Sequence, residues 1–205
     1  MKTMALWFLI VALAITGQLF WTGSAQAQAE VIPLPPPSQS GGMPLMEALS
    51  KRQSYRAFRA DNLSLEHLSN ILWAAFGVSR PDGKRTIPTS HGRNEMAVYA
   101  VVSSGVYLYD ADTHQLTRVL QGDETAAYGG APLTLLFAAS VMDGPIGGSH
   151  VGSSYQNVGL YCSSEGLANV VKTSGVGHLK DKLIPPNDWQ VLIVQLIGYP
   201  IGMDF

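Results

Sequence analysis

The sequence is poor in the residues that cross-link a small domain or bind a metal. Cys162 is its single cysteine, so no disulfide can form within the chain even in an oxidising compartment. The five histidines lie far apart, and no two of them have the HxH or HxxxH spacing of metal ligands on one strand or helix. We therefore predict neither a disulfide scaffold nor a metal site.

Charge is also scarce, at 14% of the residues, and the 13 basic residues are outnumbered by 15 acidic ones. A protein that binds nucleic acid needs a basic stripe to neutralise phosphates, and the sequence contains none. It contains no internal repeat either. Residues 43–205 are enough for one domain with a core of its own. The composition thus favours a single globular domain that does not bind nucleic acid.

Residues 1–29 have the pattern of a signal peptide. An apolar run follows Lys2, and small residues follow that run up to Ala29. We predict cleavage after Ala27 or Ala29 and export to the periplasm or the extracellular space. The alternative is an uncleaved anchor, because residues 4–21 are almost all apolar and just long enough to cross a membrane. That segment would then be the chain's membrane contact.

Residues 30–42 are predicted to form a tether. This segment contains Pro33, Pro35, Pro36 and Pro37 followed by Ser-Gln-Ser-Gly-Gly, and it shows neither helical nor strand periodicity. Prolines and glycines at this density are typical of linkers. The folded domain is therefore predicted to span residues 43–205.

Two helices and a long loop are predicted in the first part of that domain. Met43–Leu49 has the pattern of a short helix, and Ser64–Ala75 that of an amphipathic helix with Ser64 as its cap. Val78–Gly92 is polar and rich in turn-forming residues. Long loops inside small domains are commonly binding loops.

Strands dominate the rest of the predicted domain. Alternating or continuous apolar runs predict five of them: Met96–Ser103, Val106–Asp110, Gln115–Leu120, Leu133–Ala139 and Val191–Gly198. Short turns join the first three as antiparallel hairpins, and the last two have the pattern of central strands buried on both faces. Tyr155–Val170 is predicted to be a closely packed helix. The fold class is therefore α+β, a mainly antiparallel central sheet flanked by helices.

The stretch Lys51–Phe58 concentrates cations in this weakly charged chain. Lys51, Arg52 and Arg56 lie close to the hydroxyl of Ser54. Guanidinium groups pair with phosphate oxygens and a hydroxyl adds a further donor, so the stretch suits a terminal phosphate. The alternative is a basic turn that only faces water.

The order of several motifs resembles the nitroreductase-like FMN flavoproteins, and more closely their SagB/ThcOx-type dehydrogenase branch. The resemblance covers Met43–Gly202. It rests on Arg-Gln-Ser-Tyr-Arg-Ala-Phe at 52–58, Leu-Trp-Ala-Ala-Phe-Gly at 72–77, Arg-Thr-Ile-Pro-Thr-Ser at 85–90, Gly-Ala-Pro at 130–132, Gln-Asn-Val-Gly-Leu at 156–160, Glu-Gly-Leu-Ala-Asn-Val-Val at 165–171 and Ile-Gly-Tyr-Pro at 197–200. It implies an FMN cofactor and an interlocked homodimer with its sites at the subunit interface.

The resemblance also implies roles for particular residues. Arg52, Gln53, Ser54 and Arg56 would hold the phosphate and ribityl chain of FMN. No catalytic side chain is implied, because the flavin carries the chemistry.

A second group of residues would meet the flavin ring. Thr89, Ser90 and Asn94, in the loop after Pro88, would reach the flavin of the other subunit. The segment 171–175 would lie along the ring, where Lys172 would place positive charge beside the reduced flavin. Alternatively, Lys172 is a solvated loop lysine.

The chain departs from the family pattern at two places. Gly92 stands where many relatives have an asparagine, and the chain ends Gly-Met-Asp-Phe where many have a basic residue that helps to bind phosphate. Both departures imply fewer contacts to FMN.

The predicted function is an exported FMN-dependent oxidoreductase that passes two electrons from a small-molecule donor to a small acceptor such as a quinone or a nitroaromatic. One alternative is a non-catalytic flavin- or ligand-binding module with the same fold. The other is an exported structural or interaction domain whose basic stretch is a surface turn.

Overall fold

A seven-stranded antiparallel sheet organises the computed structural model, which describes residues 29–142, 144–183, 185 and 189–202. In spatial order the strands are β1, β4, β3, β2, β5, β7 and β6. Their bounds are β1 Val31–Pro33, β2 Met96–Val102, β3 Gly105–Asp110, β4 Gln115–Gln121, β5 Leu133–Ala139, β6 Ala168–Lys172 and β7 Gln190–Gly198. The predicted α+β class and mainly antiparallel sheet are confirmed.

The two continuous apolar runs form interior strands of the sheet, as predicted, but β7 is fully buried only from Val194 to Gly198. Every residue of β5 is buried, and β5 pairs with β2 on one side and with β7 on the other. A strand covered on both faces has no solvent side that would require polar residues. The three hairpin strands β2, β3 and β4 follow within two residues of their predicted bounds.

Three helices pack on one face of the sheet or beside it: α1 Leu45–Lys51, α2 Leu65–Phe76 and α3 Gly144–Ser164. The backbone N–H of His67 donates to the Ser64 hydroxyl at 3.1 Å, so Ser64 caps α2 as predicted. Ile71 and Leu72 of α2 are fully buried and belong to one core with Val158 of α3 and with β2 and β5.

The other face of the sheet is covered by irregular segments. A short 3₁₀ turn, Thr125–Tyr128, and the segment 173–183 lie over it. Tyr128, Leu179 and Leu183 pack there against Tyr99 and Val194 in a second buried cluster. Lys182 Nζ binds Glu124 Oε1 at 2.5 Å and ties the two covering segments together.

The prediction of a helix over Tyr155–Val170 is wrong at both ends. Helix α3 begins at Gly144, and Ala168–Val170 belongs to β6 instead. The helix ends because Gly166 takes a left-handed φ of +68° and the N–H of Leu167 returns to the carbonyl of Cys162 at 2.8 Å. The first turns contain several glycines, whose low helix propensity is overcome here by packing against the sheet.

The prediction of a tether over residues 30–42 is also wrong for much of that segment. Strand β1 pairs with β4 at the edge of the sheet, and Leu34 is buried. Further along, the N–H of Ser38 donates to Asn70 Oδ1 at 2.8 Å. Proline lacks an N–H, so it is tolerated in an edge strand, and the proline content did not exclude a strand here.

The export prediction depends on residues 1–28, which lie outside the described part of the chain. Within the described part, no helix is both long and apolar enough to cross a bilayer. Export and cleavage therefore stay predictions.

Helix α3 offers a test of how closely it packs on the sheet. A Cβ at Gly147 would lie 2.5 Å from the backbone oxygen of Ser140, whereas at Gly159 the nearest atom would be 3.6 Å away. Gly147→Ala should therefore destabilise the fold by about 1 to 3 kcal/mol through overpacking. Gly159→Ala should be neutral or stabilising by up to about 1 kcal/mol, because alanine is the better helix former. Chemical unfolding of both variants measures the difference, and equal effects would contradict the packing described for α3.

Candidate functional site

The basic stretch is an extended segment bound to the edge of the sheet. The N–H of Tyr55 donates to the carbonyl of Asn169 in β6 at 2.8 Å, and the N–H of Arg59 donates to the carbonyl of Tyr199 at 2.8 Å. An isolated bridge joins Phe58 to Pro200. These bonds hold residues 55–59 beside β6 and the chain that follows β7.

Extended geometry explains which side chains of the stretch face outward. Successive side chains in an extended chain point to opposite sides. Tyr55 is half-buried, and its hydroxyl donates to the carbonyl of Ile201. Ser54 and Arg56, on either side of Tyr55, are exposed. Two of the predicted phosphate ligands, Ser54 and Arg56, therefore flank the anchored Tyr55 and are accessible from solvent.

Arg52 comes from the end of α1. Its N–H donates to the carbonyl of Ala48 at 2.9 Å and closes the last turn of the helix. The aliphatic stem crosses α3 at Gly159, where a Cβ would lie 3.7 Å from Arg52 Cδ. Arg52 is half-buried and Gln53 is exposed. The four predicted ligands of the FMN phosphate and ribityl chain therefore lie together, and we call Arg52, Gln53, Ser54 and Arg56 the cradle.

The two arginines of the cradle have no acidic partner in the part of the chain that the structure describes. Among the described residues, no carboxylate oxygen lies within 4.0 Å of Arg52 or Arg56, whereas nearby Lys51 binds Glu47 at 2.9 Å and Arg59 binds Asp61 at 2.6 Å. Two unpaired guanidinium groups beside an exposed hydroxyl are a donor set that suits a phosphate. The residues present therefore fit the phosphate end of FMN.

A buried polar pair supports the cradle from behind. Gln195 Nε2 donates to Asn169 Oδ1 at 3.1 Å and to the carbonyl of Tyr155 at 3.2 Å, and both side chains are buried. Asn169 is also the residue whose carbonyl accepts from Tyr55. The sequence showed a lone amide, Gln195, inside a predicted apolar strand, but it placed Asn169 in a predicted helix and did not show that the two amides meet.

Lys172 lies on the same strand as the residue that anchors the cradle. It is the last residue of β6 and is exposed, three residues beyond Asn169, or about 10 Å along the strand. The chain then leaves the sheet toward Gly175, which has a φ of +91°. The structure therefore places Lys172 on the same edge strand as the anchor of the cradle, with a side chain that points to the opposite face from that of Asn169.

The predicted ring-binding loop lies elsewhere. The N–H of Ser90 donates to Nε2 of His150, near the beginning of α3, at 2.9 Å. Gly159, which the Arg52 side chain crosses, lies nine residues further along α3. At 1.5 Å per residue this is about 13 Å. Thr89 and Ser90 are thus at one end of α3 and the cradle is near the other. One copy of the chain does not bring them together.

The conformation of this loop explains the glycine at its centre. His91 and Gly92 have positive φ values of +51° and +71°, a region that glycine adopts at no steric cost. A Cβ at Gly92 would lie 3.3 Å from Lys84 Nζ. Gly92 is therefore suited to the local turn, and it contributes no side chain to a ligand.

Asn94 lines a cleft beside the loop. The cleft has a volume of about 520 Å³, and its walls include Phe76, Arg85 and Trp189. Arg85 is buried, binds Asp112 at 2.9 Å and lies 5.0 Å from the centroid of the Phe76 ring. The arginine of the 85–90 motif therefore stabilises the base of the loop through a salt bridge and a cation–π contact.

His150 is a site residue that the sequence did not reveal. It is 1% exposed, and burial lowers its pKa below the ordinary value because it disfavours the charged ring. Glu95 opposes this shift, and Arg93 adds to it. A lone histidine in a glycine- and serine-rich stretch carries no sequence signal for a contact with a loop sixty residues away.

Comparison with known proteins agrees with this fold. Residues 49–175 match the sequence pattern of the Nitroreductase family. A nitroreductase homologue from Methanocaldococcus jannaschii is 32% identical in a 151-residue alignment that covers 62% of this chain and 76% of that protein.

Solved structures show the same likeness. The crystal structure of a nitroreductase homologue from Ralstonia eutropha superposes with a TM-score of 0.78 at 33% identity, over 84% of this chain and 90% of that one. A homologue from Desulfovibrio desulfuricans, solved in complex with FMN, has a TM-score of 0.56 at 16% identity over 78% of this chain and 88% of that one.

Together, the antiparallel sheet, the long α3 helix and the basic edge segment define an α+β fold of the flavoprotein type. The chain belongs to the Nitroreductase family. The family and the nitroreductase fold predicted from the motifs are confirmed.

Proposed function

We propose that this protein is an exported FMN-dependent oxidoreductase that transfers two electrons to a small acceptor, such as a quinone or a nitroaromatic. The observation that carries the proposal is the cradle, which places two guanidinium groups near an exposed hydroxyl, and neither guanidinium has a carboxylate partner among the described residues. The family membership supports it, as does the shared fold with a relative that binds FMN.

The cradle would hold the phosphate, with Arg52 and Arg56 as charged donors and Ser54 as a neutral one. Gln53 would contact the ribityl chain. Lys172 lies about 10 Å further along the same edge, where its ammonium would place positive charge near the ring. FMN, when bound, supplies the two-electron redox chemistry, and the protein binds the cofactor and orients it.

A homodimer is part of the proposal. Ser90 meets α3 at His150 and Arg52 crosses it at Gly159, about 13 Å apart along the helix, so the loop and the cradle of one chain are separate. A second copy could bring its loop to this cradle. The interlocked dimer implied by the family resemblance would therefore complete the pocket.

The electron donor is the part of the proposed reaction that the sequence and the structure constrain least. Reduced nicotinamides are scarce outside the cytoplasm, so we propose a membrane quinol or a partner protein as donor for the exported enzyme. We also place the chain in the SagB/ThcOx-type dehydrogenase branch, on the order of its motifs. If residues 1–28 remain attached, the enzyme would work at the membrane surface.

A non-catalytic flavin-binding module is the second candidate. It is favoured by Gly92, which brings no side chain to the loop that would meet the ring. Such a module would bind FMN but would not pass its electrons on.

Native protein should show flavin absorbance at about one FMN per chain and the mass of a dimer in solution. Anaerobic addition of a reductant should bleach the flavin bands, and addition of a quinone should restore them. A protein that binds FMN but is not reoxidised by quinones or nitroaromatics would be the module instead. A colourless monomer that cannot be loaded with FMN would contradict both candidates.

A further inference from the structure

His150 contacts the binding loop through a hydrogen bond whose direction is fixed. A backbone N–H can only donate, so the Nε2 atom that accepts from Ser90 at 2.9 Å must be unprotonated. In the neutral ring the proton is therefore on Nδ1. This nitrogen is buried and has no partner among the described residues. The geometry requires one tautomer and excludes the charged form.

Few charges surround His150. Helix α3 contains no Asp, Glu, Lys or Arg between Gly144 and Ser164, and the part of α2 from Ser69 to Phe76 contains none either. Within the described residues, the charged groups that act on the ring are Glu95 and Arg93, at the end of the loop. Arg93 Nη1 binds Glu95 Oε1 at 3.2 Å, and the two charges act on the pKa of the ring in opposite directions. The surroundings leave burial as the dominant influence on the ring.

The contact with His150 differs in kind from the backbone bonds of the loop. The N–H of Gly92 donates to the carbonyl of Thr89 at 3.2 Å, and the N–H of Arg93 donates to the carbonyl of Ser90 at 2.9 Å. Both bonds lie within the loop. The bond from Ser90 to His150 instead ties the loop to α3, and it is made at the residue that begins the turn with the left-handed pair His91 and Gly92.

We propose that His150 is a positioning residue for the flavin site. Its unprotonated Nε2 holds residues 89–94 in the shape that completes the pocket of the partner subunit, and a proton on that nitrogen releases the loop. This inference rests on the proposed function, since it takes the loop to be part of the flavin pocket.

The direction of the pH dependence follows from the two states of the loop. In the closed state the buried ring has a pKa below its ordinary value, whereas in the open state it regains a pKa of about 6.5. The open state therefore binds more protons. The equilibrium constant for loop opening does not change with pH well above pH 6.5. Below pH 6.5 it rises by up to tenfold for each pH unit, until the pH reaches the lowered pKa of the closed state.

Hydrogen exchange of the Ser90 amide tests the contact in FMN-free protein. Its protection factor should be constant between about pH 7 and 8 and should fall by up to tenfold per unit below about 6.5. In His150→Gln an uncharged amide oxygen can accept the same bond, so protection should persist with no step in pH. His67→Gln, a control on α2, should keep the wild-type profile. An unchanged pH step in His150→Gln would overturn the proposal.

Nitrogen-15 spectra of the imidazole rings give a test that needs no variant. The ring of His150 should carry its proton on Nδ1 at pH 8, with Nε2 unprotonated. A proton on Nε2 at that pH would overturn the proposal, because the bond from Ser90 could then not form.

The consequence for the flavin site is tested with FMN added. The FMN phosphate itself gains a proton at about pH 6, and this affects both proteins equally. The informative quantity is therefore the ratio of the Kd values for wild type and His150→Gln. Wild type should lose affinity relative to His150→Gln as the pH falls from 7 to 5. A ratio that stays constant would overturn the positioning role, even if FMN binds. Absence of FMN binding in both proteins at every pH would contradict the proposed function instead.

Discussion

The double substitution Arg52→Gln with Arg56→Gln should weaken FMN binding more than about 100-fold. Hydrogen bonds to charged groups contribute about 1.5 to 3 kcal/mol each, and neither guanidinium has a carboxylate partner among the described residues that would compete for it. Glutamine keeps much of the aliphatic stem that Arg52 lays across Gly159, so the loss would report on charge rather than on packing. The Kd measured by quenching of flavin fluorescence gives the effect.

Arg59 provides a matched control on the same segment. It is exposed and bound to Asp61 at 2.6 Å, so Arg59→Gln should leave the Kd for FMN within about twofold of wild type. Thermal unfolding of all three proteins checks that the fold is kept. If the double variant binds FMN as tightly as Arg59→Gln does, the phosphate is held elsewhere and the basic stretch is only a solvated turn.

The sequence showed the cradle but not what holds it in place. A cluster of cations and a hydroxyl within one short stretch is visible without any structure, since the members are neighbours in the chain. Its anchors are not: the carbonyl of Asn169 and the amide of Gln195 come from two distant strands. Their meeting depends on the register of β6 against β7, and no local pattern sets that register.

Helix α3 shows where local propensity misleads. Its first turns contain Gly144, Gly147, Gly148 and Gly152, each costing about 1 kcal/mol relative to alanine in a helix. From local preference alone the segment is not helical. The glycine at 147 is needed for the close approach to Ser140, and the burial gained there offsets the cost. Tertiary packing therefore decides the secondary structure of this segment.

The same helix separates the two halves of the proposed site. Ser90 meets α3 at His150, and Arg52 crosses it at Gly159. A continuous helix is rigid, so the distance of about 13 Å along its axis is not closed by a change in either loop. The proposal of a second copy comes from the family resemblance, and this separation leaves room for a partner's loop beside the cradle. Mass in solution and flavin absorbance, measured on one sample, therefore test the dimer and the flavin site together.

A chain that begins at Met43, the domain boundary predicted from the sequence, should be less stable than one that begins at Ala29 by about 3 to 5 kcal/mol. The buried side chain of Leu34 is lost, and such losses typically cost about 2 to 5 kcal/mol. The Ser69 hydroxyl also loses its bond to the carbonyl of Pro35, formed at 2.6 Å. The Tm should fall by roughly 6 to 20 °C, at about 2 to 4 °C per kcal/mol for a chain of this size.

Two point variants test whether the packing of residues 30–42, rather than their presence alone, stabilises the fold. Leu34→Ala should reproduce a large part of the loss, whereas Gln39→Ala, at an exposed position of the same segment, should change the free energy of unfolding by less than about 0.5 kcal/mol. His114 also links residues 30–42 to the rest of the fold, since its Nε2 lies 3.1 Å from the Pro35 carbonyl and 2.7 Å from the Ser69 hydroxyl. If the chain that begins at Met43 is as stable as the longer one, residues 30–42 are a tether after all, and β1 contributes nothing to the fold.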